Sequence, residues 1–123
     1  MAVGDPIVHA LLLAEEGTRT EIRVHLTRRL VERDPLKRAR AIFSRFAAYR
    51  TEHAECVLLY VNLRRHRFAI CADARAGRRV GEDYWKPFAR ELSENLRGTD
   101  PERAISLAIA ALGERLRMKG RHS

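Results

Sequence analysis

A chain of 123 residues, 46% hydrophobic and 33% charged, has enough apolar surface for one core and too much for a disordered segment. Its net charge of +8 would attract phosphate-bearing partners. However, 21 of its 24 basic residues are arginines spread over every predicted element, so composition favours a solvated basic surface over a nucleic-acid stripe. The first long apolar run, Ile7 to Ala14, is broken by His9 and followed by Glu15 and Glu16, which argues against a membrane span or a signal peptide. Two cysteines without CxxC spacing suggest neither a disulfide framework nor a metal clip, and a cytoplasmic location is expected.

Ile7 to Glu16 has helical spacing, with Ile7, Leu11 and Ala14 on one face and Val8 and Leu12 beside them; Gly17 is placed to end it as a left-handed cap. From Thr20 to Thr27 the period becomes two. Ile22, Val24 and Leu26 face one way and Glu21, Arg23 and His25 the other, which predicts an edge strand or one covered on a single side. Asp34-Pro35 reads as an N-cap and first helical position, and Ala39, Ile42, Phe43 and Phe46 carry a second helix to about Tyr49. Cys56 to Leu63 is nearly continuous apolar sequence, as in a central strand. Arg64-Arg65 then forms the tip of a hairpin into His66 to Asp73.

A polar loop containing Gly77 and Gly81 is expected next. Asp83 then caps a helix with the apolar stripe Trp85, Phe88, Ala89, Leu92 and Leu96. Thr99-Asp100-Pro101-Glu102 starts a last helix, buried through Ile105, Ala108, Ile109, Leu112 and Leu116, with residues 118–123 as a disordered basic tail. The expected architecture is α/β: a small mixed sheet sandwiched by helices, in the order α-β-α-β-β-α-α. It forms one domain over residues 1–123 with its core at about 7–116. Two parallel strands and an antiparallel hairpin strand bring the end of strand three to the beginnings of strands one and two.

That topology gathers Asp73 with Thr18, Thr20 and Glu21, near His53 and Glu55, with Glu15 and Glu16 close by. Such hard oxygen donors suit calcium or magnesium, although polar residues also collect at sheet ends simply because the chain turns there. Catalytic templates fail: Cys71 to Arg78 is one residue too long for a cysteine-phosphatase loop, and there is no GxSxG elbow, Walker loop or HExxH helix. Cys56 and Cys71 are expected to pack as small apolar groups, with Cys71 opposite Leu58. Trp85 is expected as a core anchor, and His25 and His53 as surface histidines.

Glu15, Thr18, Glu21-Ile22, the Val57-to-Val61 strand, Phe68-Ala69-Ile70, Asp73 and Trp85 together resemble the TPM domain family: A-E-x-x-T-x-x-E-I, then V-L-L-Y-V, then a strand ending in G/A-D, then a tryptophan. The resemblance covers roughly Ile7 to Leu116. It implies an α/β sandwich and a family that includes an acid phosphatase, membrane-tethered proteins and bacterial proteins of unknown role, some binding divalent cations. It further implies Glu15, Thr18, Glu21 and Asp73 as metal ligands for calcium or magnesium, with metal-assisted phosphate-ester hydrolysis as the reaction class if the chain is an enzyme. Two departures flank that edge: Glu55-Cys56 replaces a common Asn-Gly pair, and Arg75 replaces a glycine, where it would neutralise carboxylates or grip an anionic ligand. A stand-alone domain binding a divalent cation or a phosphate-bearing ligand is the resulting expectation. The alternative is a non-catalytic protein-interaction or basic nucleic-acid-binding module.

Overall fold

The structure, a computed structural model, describes residues 6–16, 18, 20–48, 55–98 and 100–121. The elements are α1 (Pro6–Glu15), β1 (Thr20–Thr27), α2 (Pro35–Ala48), β2 (Glu55–Asn62), β3 (Arg67–Ala72), α3 (Ala74–Val80), α4 (Glu82–Gly98) and α5 (Pro101–Arg121). They divide into a sheet unit, Thr20–Ala76, and a helical unit, Met1–Arg19 with Gly77–Ser123.

In the sheet unit the strand order is β1-β2-β3. β1 runs parallel to β2 from Thr20↔Glu55 to Thr27↔Asn62, and β3 runs antiparallel to it from Val57↔Ala72 to Asn62↔Arg67. The apolar run of β2 makes it central, and all eight of its residues are buried; the alternating β1 lies at an edge, as its polar face predicts. Leu58 pairs with Cys71, the register expected from the hairpin. α2 lays Ala39, Ile42 and Phe43 on Leu58, Tyr60, Ala69 and Cys71. Each large side chain buried in this way contributes about 1.5–3 kcal/mol. The helix begins as Asp34-Pro35 requires, the Lys37 N–H donating to Asp34 Oδ1 at 3.0 Å. Its expected end at Tyr49 lies outside the described residues.

The hairpin turn spans residues 63–66, with His66 at a φ of 55°. Arginines are poor turn residues. Here the Asn62 side chain does the shaping, its Oδ1 accepting the N–H groups of Arg64 and Arg65 at 3.0 Å each.

The segment expected as a polar loop is instead the short helix α3. Only Ala76 and Val80 are apolar at helical spacing there, too weak a pattern to read, and both are fully buried. Asp73 starts the helix by accepting the Ala76 N–H, and Gly81, at a φ of 91°, stops it by donating to the Gly77 carbonyl at 2.9 Å. α4 accordingly opens at Glu82, with Asp83 inside its first turn rather than capping it.

The helical unit packs α5 against α1 and α4. The predicted α5 stripe is buried throughout, as are Phe88, Leu92 and Leu96 of α4 and Ile7, Ala10 and Ala14 of α1; Leu12 is exposed. A Cβ on Gly113 would sit 2.6 Å from Ala14 Cα, so α1 and α5 approach as closely as they do because that residue is glycine. Trp85 is half-buried, edge-on to Phe88 with ring centroids 5.8 Å apart. α5 continues to Arg121, through residues 118–121 of the expected tail. Gly17 and Thr99 fall outside the described residues. No helix among the described residues is long and apolar enough to cross a membrane.

Candidate functional site

The sheet unit has two polar ends. At the first, where β1 and β2 begin and β3 finishes, Glu21 lies in register with Cys56, and Asp73 lies on the other side of Cys56, its N–H donating to the Cys56 carbonyl at 3.0 Å. Glu21 and Asp73 thus flank one residue of the central strand, as the topology predicts. The Asp73 carboxylate is already engaged by main chain: Oδ2 accepts the Cys56 N–H at 2.9 Å and Oδ1 the Ala76 N–H at 2.8 Å. It therefore joins β2 to the start of α3. One residue earlier along the strands, Thr20 donates its hydroxyl to Glu55 Oε2 at 2.9 Å, with both side chains buried. The hydroxyl gives this strand-end carboxyl group a donor, which a buried polar group requires.

Glu21 also meets Arg23 at 3.9 Å, an ion pair too exposed to contribute much. Arg75 is exposed in the first turn of α3. Glu15 and Thr18 belong to the helical unit, where the Thr18 N–H donates to the Glu15 carbonyl at 3.3 Å. His53 lies outside the described residues. No group of three or more His, Cys, Asp or Glu able to hold a metal ion occurs among the described residues.

At the opposite end, where β1 and β2 finish, a second cluster is centred on Glu32 of the β1–α2 connection. Its carboxylate accepts the Tyr60 hydroxyl and, at 3.1 Å, the Asn62 Nδ2 amide, which also donates to the Arg29 carbonyl at 3.1 Å. Burial alone would raise the Glu32 carboxyl. The bonds from Tyr60 and Asn62, followed by the charges of Arg29 and Arg38, outweigh it and hold the group below its ordinary value. Burial, and then the Glu32 hydrogen bond and charge, push the Tyr60 hydroxyl up to about 12.

His25 stacks on Tyr60, with centroids 5.6 Å apart and planes 9° apart. It is half-buried rather than a surface histidine, and burial, then Arg38, lowers its pKa. Cys56 and Cys71 are buried and not disulfide-bonded, as expected of packing residues, and burial raises the Cys71 thiol against the opposing charge of Arg40.

Arginines complete this end. From the hairpin, Arg64 Nε donates to the Arg28 carbonyl at 2.9 Å, Arg65 Nε to the Leu30 carbonyl at 2.6 Å, and Arg67 to the Glu32 carbonyl. Beside them a surface cavity of about 370 Å³ is lined by Arg29, Val31, Glu32, Arg33, Asp34, Lys37, Arg38 and Ala41. The basic residues that look scattered along the chain are therefore partly gathered. Residues 28–38 and 64–67 hold eight of them against Glu32 and Asp34, which is six of the chain's net eight positive charges. The sequence carried a faint signal for this cluster: Tyr60 and Asn62, two apart on one face of an otherwise apolar strand, are polar groups in need of partners.

The TPM domain family model, whose name is that of a phosphatase, matches residues 5–115. The chain belongs to the TPM domain family. Among solved structures, this TPM domain is similar to the BA42 protein of the psychrophilic bacterium Bizionia argentinensis, determined by NMR. The TM-score is 0.82 and the identity 26%, over 97% of this chain and 83% of that one. Among curated proteins, none matches.

Proposed function

We propose that this TPM domain binds an anionic, phosphate-bearing ligand at the end of the sheet where β1 and β2 finish. The observation that supports this is the concentration at that end of six of the net eight positive charges, with Arg29, Arg33, Lys37 and Arg38 lining a cavity of small-molecule size beside Glu32 and Asp34. Two further features agree with it. In sheets with parallel strands, ligands characteristically bind outside the carboxyl ends of those strands, which is the end in question. The connection forming the cavity wall is also held by three guanidinium-to-carbonyl bonds, so little order has to be imposed when a ligand arrives. A cytoplasmic location belongs to the same reading, since the two buried cysteines are not joined in a disulfide.

The test is an amide NMR titration with inorganic pyrophosphate. Shifts confined to residues 29–38 and 64–67 are expected at millimolar ligand, with affinity falling at least about tenfold when exposed Arg29 and Arg33 are reversed to Glu. An unperturbed spectrum would remove the reading.

A second reading is favoured by the fixed carboxylate of Asp73 beside Glu21. Each Asp73 oxygen accepts one main-chain N–H and keeps lone-pair capacity, and carboxylates oriented in this way serve as ligands to hard cations. In this reading calcium or magnesium binds at the edge of the sheet unit beside Glu21 and Asp73, and Arg75 holds a phosphate. Glu21 and Asp73 supply two carboxylates to it. They are fewer than the six to eight oxygens calcium takes, so no hydrolytic step is assigned to them, and the phosphatase activity in the family name remains a reaction class. Calcium and magnesium titrations followed at the Glu21 and Asp73 amides decide it; no movement at millimolar ion sinks it.

A further inference from the structure

Leu30 and Val31 sit side by side in the β1–α2 connection and are 62% and 58% exposed. Single exposed aliphatic residues need no explanation. An adjacent pair does here, because basic residues surround it: Arg28, Arg29 and Arg33 along the connection, and Arg64 and Arg65 from the hairpin that holds it. The pair is also rigidly presented. The Leu30 carbonyl is bonded to Arg65, and the carbonyls two residues to either side, of Arg28 and Glu32, are bonded to Arg64 and Arg67. The next residue inward, Glu32, is buried under the Tyr60 and Asn62 bonds, so the connection is anchored beneath its apolar tip.

Three occupants can be weighed. A second copy of the chain would bring six net positive charges against six, which like-charge repulsion opposes. A single-stranded nucleic acid would use the arginines but is normally gripped by stacking on aromatic rings, and the large exposed apolar residues described at this end are the aliphatic Leu30 and Val31. An anionic lipid surface matches both halves of the pattern: aliphatic side chains enter the boundary between headgroups and acyl chains, while flanking arginines meet the headgroup phosphates.

We infer that this end of the domain docks on an anionic lipid surface, Leu30 and Val31 entering the interface while Arg29, Arg33 and Lys37 around the cavity take headgroup phosphates. The inference rests on the anionic-ligand reading above and narrows it to one partner. Two aliphatic side chains and a basic patch make a weak, reversible attachment, so the docking is sensitive to salt and to lipid charge.

The experiment is co-sedimentation of the full chain with vesicles of phosphatidylcholine alone or with about a third phosphatidylserine, beside the pyrophosphate titration. Binding to the anionic vesicles at least about tenfold tighter than to neutral ones is expected, weakening as salt is raised. Leu30→Ser leaves the net charge unchanged, touches an exposed side chain and lies outside the lining of the cavity. This variant is expected to lose about tenfold in vesicle affinity while keeping its pyrophosphate shifts and far-UV circular dichroism. Pyrophosphate shifts without vesicle binding overturn the lipid inference and leave the anionic-ligand reading standing; loss of both removes both. Vesicle binding unchanged in Leu30→Ser reduces the effect to bulk charge and overturns the inference. So does displacement from vesicles by single-stranded RNA at equal phosphate concentration, which reassigns the surface to nucleic acid.

Discussion

Where β1 and β2 begin, acidic side chains are committed inward: Asp73 to the N–H groups of Cys56 and Ala76, Glu55 to the hydroxyl of Thr20. Where the same strands finish, one acidic residue, Glu32, is buried under Tyr60 and Asn62, and the arginines around it donate to carbonyls of the neighbouring connection while leaving a positive surface. Both ends use charged side chains to satisfy main chain that the sheet leaves unpaired. They differ in what remains for a partner: a pair of carboxylates at one end, and a concentration of cationic charge at the other. Side chains that draw attention in a sequence because they are acidic can be engaged by main chain, while a surface that looks like diffuse charge can be assembled.

Asn62→Ala should have the largest effect, because one side chain makes four bonds across the turn and the connection. A loss of about 3 kcal/mol in urea denaturation is expected. A loss below about 1 kcal/mol would mean that the arginines hold that end alone. Asp73→Ala should cost about 2 kcal/mol, a helix cap plus a strand contact, with Asp73→Asn milder because one acceptor remains. If Asp73→Ala is nearly neutral, the first end is not structural and its carboxylate is available for a ligand.

Tyr60→Phe should cost about 1 kcal/mol and abolish the phenol that titrates near 12 in a spectrophotometric titration. The signs follow from linkage. Tyr60 is raised in the folded state, so its contribution is complete below the ordinary tyrosine value and is lost as pH climbs towards 12. Glu32 is lowered, so its contribution is present above the ordinary carboxylate value and is lost as pH falls through the folded one. Glu32→Gln should flatten the acid limb, and a limb that stays steep assigns it to other groups. Arg65→Ala should be the smallest change, about 0.5 kcal/mol, because its carbonyl bond is exposed to water.

Much of the fold was legible because burial leaves a period in the sequence. The two-face apolarity of Val57 to Val61 fixed the central strand, the alternation of Glu21 to Leu26 put β1 at an edge, and Asp34-Pro35 marked the start of α2. α3 escaped because its buried face is only Ala76 and Val80, and because the residue that starts it, Asp73, looked like a ligand. The juxtaposition of Glu21 and Asp73 across Cys56 was legible from topology alone. The Glu32–Tyr60–Asn62 cluster was not, because its members lie in a connection and a strand 28 to 30 residues apart and only the bonds among them make them a unit. The arginine surface was hidden for a related reason: Arg28 to Arg38 and Arg64 to Arg67 are separate stretches of sequence until the hairpin donates to the connection.

The contrast between the two ends is tested most directly by a pyrophosphate titration of the full chain followed amide by amide. The account predicts movement at residues 29–38 and 64–67, with the amides of Thr20, Glu21, Cys56 and Asp73 still. Movement centred on Glu21 and Asp73 with residues 29–38 unchanged would contradict it.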